Sequence, residues 1–283
     1  MTRPPKIFDR SLYARRRLLS RGTDFLVGEA AARIAERLMT VNRRFSDALD
    51  ISSRNAALAT LGPVADRWIR TQLSGSGADI IADEEALPFA NASFALIVSV
   101  LSLHAVNDLP GALVQIRRAL RPDGLFSAAL FGGETLQELR AAFAAAETQV
   151  RGGASLRVAP FSDVRDLGAL LQRAGFALPV VDIERTIVRY SDFAALLADL
   201  RALGETNALC QRSRKFLRRD VIGAALTEYA DAHTETGRLR ATFDIIYLAG
   251  WAPHESQQKP RARGSARTRI ADALRNREFP RTS

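Results

Sequence analysis

Two of the three histidines lie in segments where a proton-exchanging side chain could act on a substrate. His104 follows an apolar run over 94–103, and Asp108 comes four residues later. His254 lies beside Glu255 in the segment WAPHES. Imidazole groups take up and release protons near neutral pH, so His104 and His254 are candidate catalytic residues. A structural role for each ring is the alternative interpretation.

A metal site is the second chemistry that these side chains could support, because two histidines and one carboxylate form the facial site of many iron enzymes. Here such a site would combine His104 and His254 with Asp108 or Glu255. The sequence contains neither of the short spacings H-x-D and H-x-x-x-H. We therefore expect no protein-bound metal.

The elements that position these residues follow from the hydrophobic pattern, which alternates between strand-like runs and amphipathic helices. Strands are predicted over 45–51, 67–73, 79–82, 94–101, 125–131, 180–190 and 243–248. Helices are predicted over 23–41, 56–61, 109–120, 134–150, 164–174, 192–203 and 217–233. This order predicts an α/β fold with a mostly parallel sheet and helices on both faces. Ligands of such sheets bind beyond the carboxyl ends of the strands, where His104 is expected.

Two glycine-containing segments mark the ends of elements. The segment RPDG over 121–124 is predicted to stop one helix and to turn into the fifth strand. Proline cannot continue a helix, and Gly124 can supply the positive φ of a turn. Gly175 is predicted to end the helix over 164–174.

The stretch ALDISSRNAALATL over 48–61 has the order of a cofactor-binding strand, turn and helix. A short apolar run ends near the acid Asp50, small polar residues follow, and an alanine-rich segment completes the stretch. Glycine is absent, although the backbone of such a turn usually needs positive φ and a close approach to its ligand.

The segment ADEEALPF over 82–89 resembles the class I S-adenosylmethionine-dependent methyltransferases, in which a D-x-E-x-L-P-F segment precedes the fourth strand. The resemblance implies a methyltransferase-like fold and S-adenosyl-L-methionine as the cofactor. It also implies that Asp83 accepts a hydrogen bond from the adenine amino group and that Leu87 supports the pocket. The candidate cofactor-binding residues are Asp50, Ser52, Asp83, Glu84 and Leu87.

The chain departs from this family at its first two motifs. The first-motif glycines correspond to Ser52, Arg54 and Ala56. A side chain as long as Arg54, if it points inward, would occupy the space of the cofactor's methionine moiety. The acid that accepts the ribose hydroxyl groups is matched by Arg70 or Thr71. These departures predict weak binding of the cofactor, or none.

A closer resemblance covers nearly the whole chain, from Ile7 to about Ala266. The segments that carry it are IFDRSLYARRR, VSVLSLHAVNDLPGALVQIRRALRPDG, LFGGETLQELR, DLRALGETNAL and YLAGWAPHESQQKPRARGSA. Together they resemble the mitochondrial complex I assembly factor of methyltransferase fold and its bacterial relatives. The resemblance implies a role in assembling NADH:quinone oxidoreductase, with hydroxylation of one arginine of its iron–sulfur subunit. A conventional methyltransferase and a noncatalytic scaffold are the alternatives.

An arginine substrate would favour a carboxylate partner, because guanidinium and carboxylate groups form bidentate ion pairs. Glu134, in the segment FGGET, and Glu205, in LRALGETNAL, could serve. Glu134 is accordingly the third candidate catalytic residue, with His104 and His254. The alternative for Glu134 is an ordinary first-turn acid that complements a helix dipole.

The single cysteine and the longest apolar run limit the cellular compartments in which the protein is expected. Cys210 cannot form an internal disulfide, which favours a reducing cytoplasm. The run over 94–103 is about half the length that a membrane-spanning helix needs. Since the resemblance already begins at Ile7, we expect no removable leader and a cytoplasmic protein.

The charge distribution limits the kinds of binding partner that the chain is expected to have. The net charge is +9, of which residues 1–21 carry +6 and residues 260–283 carry +5. These basic ends are expected to approach anionic lipid at the inner membrane, with Arg15, Arg16 and Arg17 as the contact residues. Solvated, partly disordered ends are the alternative, and no nucleic-acid partner is expected.

Three parts are expected along the chain. They are an N-terminal helical extension over 1–41, a methyltransferase-like domain over 42–258, and a basic, disordered tail over 259–283. The domain is expected to contain a helical insertion at about 191–235, before the last strand.

Overall fold

The computed structural model describes residues 6–20, 25–52, 54, 57, 60–75 and 77–257. The chain divides into two compact units, Met1–Pro253 and His254–Ser283. All helices and strands given below belong to the first unit.

Helices and strands alternate along the described residues. The α-helices are α1 (Arg10–Leu19), α2 (Phe25–Met39), α3 (Leu109–Ala119), α4 (Gln137–Arg151), α5 (Val164–Arg173), α6 (Phe193–Ala202) and α7 (Arg219–His233). The strands are β1 (Phe45–Ile51), β2 (Ala65–Gln72), β3 (Ile80–Ile81), β4 (Phe94–Val100), β5 (Leu120–Gly132), β6 (Ala177–Tyr190), β7 (Thr234–Glu235) and β8 (Arg238–Trp251).

The strands form one sheet in the order β3-β2-β1-β4-β5-β8-β6, and β7 pairs with β8. The strands from β1 to β5 pair in parallel, whereas β8 runs antiparallel to both β5 and β6. The predicted α/β fold with a mostly parallel sheet is confirmed. The carboxyl ends of β1, β2, β4 and β5 therefore lie along one edge of the sheet.

Helices cover both faces of the sheet, and two separate apolar cores lie between the helices and the sheet. One core contains Ile34 of α2, Phe143 of α4 and Tyr229 of α7. The other contains Ile116 of α3 and Leu167 of α5. Each position of β4 is buried, as the continuous apolar run predicted for a central strand covered on both sides.

The predicted turn over 121–124 needs correction, because it lies inside a strand. β5 begins at Leu120, and its pairing with β4 shifts register between Phe94 and Leu96. The positive φ of this irregularity, 60°, belongs to Asp123 and not to Gly124. Gly124 is needed for space, since a Cβ there would lie 2.9 Å from the Arg121 carbonyl oxygen.

Several predicted boundaries also move. The helix predicted over 134–150 begins at Gln137, because Leu136 has a left-handed φ of 55°. β6 and β8 are longer than predicted and pair along most of their length. The short strand β7 was not predicted. α6 and α7 form the helical insertion expected before the last strand, and Gly175 follows α5 with a φ of 86°.

Some predictions fall beyond the part of the chain that the structure describes. The helix expected over 56–61 includes positions 56, 58 and 59, which lie outside it. The basic tail over 259–283 lies outside it entirely. The division of the chain at residue 42 and the disorder of the tail stay predictions.

α1 turns most of its arginines toward the protein. Arg17 donates to the Ser52 carbonyl oxygen at 3.0 Å, and Arg16 donates to the Asn207 carbonyl oxygen. Of the three arginines expected to contact lipid, Arg15 is the exposed one. Membrane contact stays a prediction, and within α1 Arg15 is the arginine that remains able to make it.

Candidate active site and cofactor region

His104 lies in a short 3₁₀ turn, Leu103–Ala105, which follows β4 at the carboxyl edge of the sheet. Its side chain is 3% exposed. Phe131 packs edge-on against the imidazole with 5.0 Å between ring centroids, and Tyr13 and Phe161 make further edge-on contacts. These aromatic neighbours fix the imidazole ring and keep bulk water away from it.

Glu205, in the segment that follows α6, is the main polar partner of His104. Its Oε2 lies 3.0 Å from His104 Nε2, while its Oε1 accepts from the Tyr13 hydroxyl at 3.0 Å and from Arg54 Nη2 at 3.2 Å. The Glu205 side chain is 13% exposed. Three donors from three separate parts of the chain therefore converge on one nearly buried carboxylate.

The Glu205 carboxyl is ionised at all ordinary pH values. Burial by itself raises the pKa of Glu205, but the charge and hydrogen bond of His104, with the charges of Arg54 and Arg17, outweigh it and lower that pKa to about 2. The protein thus maintains a fixed negative charge at this point of the sheet edge.

The Glu205 contact also sets the orientation of the His104 proton. A carboxylate only accepts hydrogen bonds, so Nε2 carries a hydrogen and donates it to Glu205. The other nitrogen, Nδ1, is buried and makes no hydrogen bond to any residue that the structure describes.

A cavity of about 210 Å³ opens beside this pair. Its walls include Tyr13, Phe131, Phe143 and Phe161, while His104, Glu205 and Arg157 provide polar groups. Mostly apolar walls with a few convergent polar groups are typical of a binding site for a small molecule or a single side chain. The cavity is therefore the candidate active site.

A buried acid holds one wall of the cavity in place. Glu147, on α4, is fully buried and binds Arg157, and it also accepts from the backbone N–H and the hydroxyl of Ser155 at 2.6 Å each. Burial raises the pKa of Glu147, but these hydrogen bonds lower it overall. Arg157 and its neighbour Val158 line the cavity, so Glu147 fixes the loop that contributes them.

Glu134 lies in the turn between β5 and α4. It precedes α4, is 56% exposed, and forms an ion pair with Arg185 at 2.7 Å. Arg185 also binds the buried Asp244 through two nitrogens, at 2.7 and 2.9 Å. Thr135 lines the cavity, but Glu134 is not among its described lining residues. A catalytic role for Glu134 stays a prediction without support from this geometry.

His254 belongs to the second unit of the chain. It is exposed, and its Nδ1 lies 2.7 Å from the Ser256 hydroxyl. Its backbone N–H donates to the Gln257 side chain at 3.2 Å. The catalytic role of His254 stays a prediction.

The loop after β1 is tied to its surroundings by internal hydrogen bonds. Asp50 and Ser52 are buried, and Ser52 has a left-handed φ of 55° in place of the glycine that such a turn usually has. The Ser52 backbone N–H donates to the Thr71 hydroxyl at 3.2 Å, and the Ser52 hydroxyl donates to Glu84. Thr71 thus occupies the end of β2, where the resembling family has an acid.

The Arg54 side chain points inward. In that orientation it was expected to occupy the space of the cofactor's methionine moiety. Its Nη1 donates to the Leu203 carbonyl oxygen at 2.9 Å, in addition to the contact with Glu205, and its side chain is 10% exposed. Position 56 lies outside the described residues.

Asp83 and Glu84, two of the candidate cofactor-binding residues, already have a cationic partner. Arg10 Nη2 lies 2.8 Å from Asp83 Oδ1 and also binds the fully buried Glu84. Leu87 packs partly buried against the second core, and its backbone N–H donates to Gln115 at 3.0 Å. These contacts leave the cofactor-binding roles of Asp83, Glu84 and Leu87 as predictions.

The residues of this region do not fit a sulfonium nucleoside while α1 is in place. Asp83 Oδ1 and Glu84 Oε2 are bound to Arg10, and Glu84 Oε1 accepts from the Ser52 hydroxyl. Thr71 offers a single hydroxyl where a vicinal diol needs paired acceptors.

Across the described ranges, no three histidine, cysteine, aspartate or glutamate side chains come together as a metal ion would need. No helix in the same part of the chain is long and apolar enough to span a bilayer.

Comparison with known proteins first defines the class. The family profile of the methyltransferase domain matches residues 27–128. The crystal structure of YcgJ from Bacillus subtilis superimposes with a TM-score of 0.53 at 15% identity, over 78% of this chain and 98% of YcgJ. The chain thus has the Rossmann-like methyltransferase fold, as the resemblance implied.

Closer relatives then define the family. The mitochondrial arginine-hydroxylase NDUFAF5 of Danio rerio is 41% identical over 287 residues, covering 94% of this chain and 89% of that protein. The human protein of the same name is 41% identical and covers 92% of this chain and 81% of its own length. The chain belongs to the arginine-hydroxylase NDUFAF5 family.

Sequence reasoning missed the contribution of α1 to the site. Arg10, Tyr13 and Arg17 recur at intervals of three and four residues, which places them on one helix face. That spacing was the signal that could have found them, because a stripe of arginines around a tyrosine predicts a buried polar face. The segment was instead interpreted as lipid-binding, with Arg15, Arg16 and Arg17 as the contact residues, so its buried face was not predicted.

Proposed function

We propose that this chain is an assembly factor for NADH:quinone oxidoreductase that hydroxylates an arginine of the iron–sulfur subunit. Membership of the NDUFAF5 family supports the reaction type, since the named relatives are arginine-hydroxylases. The observation that carries the proposal to this chain is the ionised Glu205 carboxylate beside an aromatic-walled cavity.

Glu205 provides the charge that an arginine side chain needs. Its carboxylate already accepts from the guanidinium group of Arg54 at 3.2 Å, so its geometry suits this kind of donor. In the proposed complex, the guanidinium group of the substrate takes over this contact from Arg54. The phenyl rings of Phe131 and Phe161 provide faces for the flat cation and the methylene groups of the substrate.

His104 orients the substrate at the same place. Its Nε2 lies 3.0 Å from Glu205, and its ring packs edge-on against Phe131 and Phe161, which also line the cavity. Glu205 and the fixed His104 ring together place the guanidinium group at one point of the cavity. Rigid placement of a reacting side chain is itself a large part of catalysis.

The proposed reaction replaces one C–H bond of the arginine side chain by C–O–H. This is a two-electron oxidation of the side chain. Dioxygen enters as a co-substrate and supplies the oxygen atom, and its second oxygen atom leaves as water with two electrons from an external reductant. The described residues bind and orient the arginine and keep water away from it. We further propose a cytoplasmic location, because a single cysteine suits a reducing compartment and the sequence resembles the bacterial relatives of the family.

Peptide mass spectrometry of the iron–sulfur subunit tests the proposal. The subunit is purified from cells with the gene, without the gene, and with the gene restored. The expected result is an arginine peptide heavier by one oxygen atom only when the gene is present. A gain of one methylene group would indicate a methyltransferase instead. An unmodified subunit that still fails to assemble without the gene would indicate a noncatalytic scaffold.

A further inference from the structure

The first helix, α1, covers the region where the resemblance places a nucleoside cofactor. Its residues Arg10, Tyr13 and Arg17 face the protein, while Leu19 on the opposite side is exposed. We infer that α1 is a plug, which keeps a sulfonium nucleoside out of this region and completes the wall of the His104 cavity. This inference goes beyond the proposed reaction and does not depend on it.

Arg10 closes the adenine end of the region. Its Nη2 binds Asp83 at 2.8 Å and also binds Glu84, while its Nη1 donates to the Ala105 carbonyl oxygen at 2.9 Å. Hydrogen bonds between charged partners are roughly twice as strong as those between neutral ones. The amino group of adenine is a neutral donor, so its hydrogen bond to Asp83 is the weaker one and does not displace Arg10.

Glu84 fills the centre of the region. Its side chain is fully buried, with one oxygen on Arg10 and the other on the Ser52 hydroxyl. A carboxylate in such a position is stable only while its cationic partner stays. Arg10 and Glu84 therefore hold each other in place, and neither leaves without exposing the other.

Arg17 closes the opposite end. Its Nη2 donates to the Ser52 carbonyl oxygen at 3.0 Å, and its Nη1 lies 3.3 Å from the Tyr13 hydroxyl. The Ser52 backbone N–H donates to Thr71. Both backbone polar groups of Ser52 are thus bonded within the chain, in the loop that binds the cofactor in methyltransferases.

Tyr13 connects the plug to the cavity. Its hydroxyl donates to Glu205 at 3.0 Å, and its ring forms part of the cavity wall. The position of α1 that blocks the nucleoside region is therefore the same position that completes the candidate active site. The wall of the cavity is complete when α1 is in place, and in that position α1 excludes a nucleoside.

Calorimetric titration with S-adenosyl-L-methionine tests this inference on the full chain. We compare the wild type with the double variant Arg10→Ala/Glu84→Ala, which removes the plug pair without leaving a lone buried charge. The matched control is Arg33→Ala/Glu36→Ala, an exposed arginine–glutamate pair on α2. The wild type and the control are expected to show no saturable heat at millimolar ligand, and the double variant is expected to give a saturable isotherm over the same range.

Two outcomes would overturn the inference. One is wild-type binding as tight as that of the double variant, and the other is a folded double variant that does not bind. Hydrogen exchange of the wild-type amides over 10–19 provides a measurement that needs no variant. Added protection of α1 at millimolar S-adenosyl-L-methionine would show that ligand and helix are bound together, against the inference. Neither experiment measures the modification of arginine, so its result leaves that proposal standing.

Discussion

At the scale of single residues, the site depends on one buried charge. Glu205 is held ionised by His104, Arg54 and Arg17, although burial alone would favour its neutral form. Such a group stabilises the folded state only while it is charged. Its contribution is complete above the unfolded-state pKa and is lost as the pH falls toward the folded-state value.

Acid unfolding should reveal this contribution. The pKa of Glu205 falls from 4.5 to about 2 on folding, so its stabilisation, about 3 kcal/mol at most, disappears as the pH drops through that interval. We expect Glu205→Gln to be less stable than the wild type near neutral pH, with the difference shrinking below pH about 4. Chemical unfolding at a series of pH values measures this. A difference that stays constant down to pH about 2 would contradict the pKa assignment.

A second residue-scale prediction concerns Tyr13. Tyr13→Phe keeps the buried ring but removes the hydroxyl that donates to Glu205. We expect a loss of about 1–2 kcal/mol in the free energy of unfolding, since a charged acceptor is left with one donor fewer. Leu19→Ala is the control on the same helix, because Leu19 is exposed and should be nearly neutral. Equal effects of the two substitutions would show that the hydroxyl contributes nothing.

At the scale of elements, the regular pattern was predictable and the site was not. The continuous apolar run before His104 predicted β4, and the stripe of Ala30, Ile34 and Leu38 predicted α2. These elements follow from local periodicity. By contrast, Tyr13, His104 and Glu205 are far apart in sequence and meet only because the fold brings three segments to one sheet edge. No local pattern encodes that meeting.

The loop between α4 and α5 provides the element-scale prediction. Glu147→Gln leaves the partly buried Arg157 without its charged partner and weakens the bonds to Ser155. We expect a loss of about 3 kcal/mol in unfolding free energy, together with faster hydrogen exchange of the loop. Arg151→Ala removes a more exposed partner of the same acid and should cost about 1 kcal/mol or less. Wild-type stability in Glu147→Gln would show that this acid does not hold the cavity wall.

At the scale of the whole molecule, charge is distributed unevenly along the chain. Besides the basic ends, Phe216 is fully exposed in a segment that also contains Arg214, Lys215 and Arg218. An exposed aromatic ring among cations suits a surface of anionic lipid, where each base contributes about 1 kcal/mol. We propose that this segment takes part, with the basic ends, in peripheral membrane contact.

Vesicle flotation tests that proposal. The wild-type chain is expected to float with vesicles rich in phosphatidylglycerol and to stay behind with phosphatidylcholine alone. Phe216→Ser should reduce flotation several-fold, because it removes the ring while keeping the charges. Leu178→Ser, at an exposed apolar position on β6, is the matched control. Equal flotation of all three proteins would remove this segment from the proposed surface.

We propose that the substrate arginine binds Glu205 beside His104. The most direct test of this contact uses cells that lack the gene and carry either the wild type or Glu205→Gln at matched abundance. The mass of the arginine peptide of the iron–sulfur subunit is then measured in each strain. We expect one added oxygen atom with the wild type and an unmodified peptide with Glu205→Gln. Full modification in the Glu205→Gln strain would contradict the proposed contact.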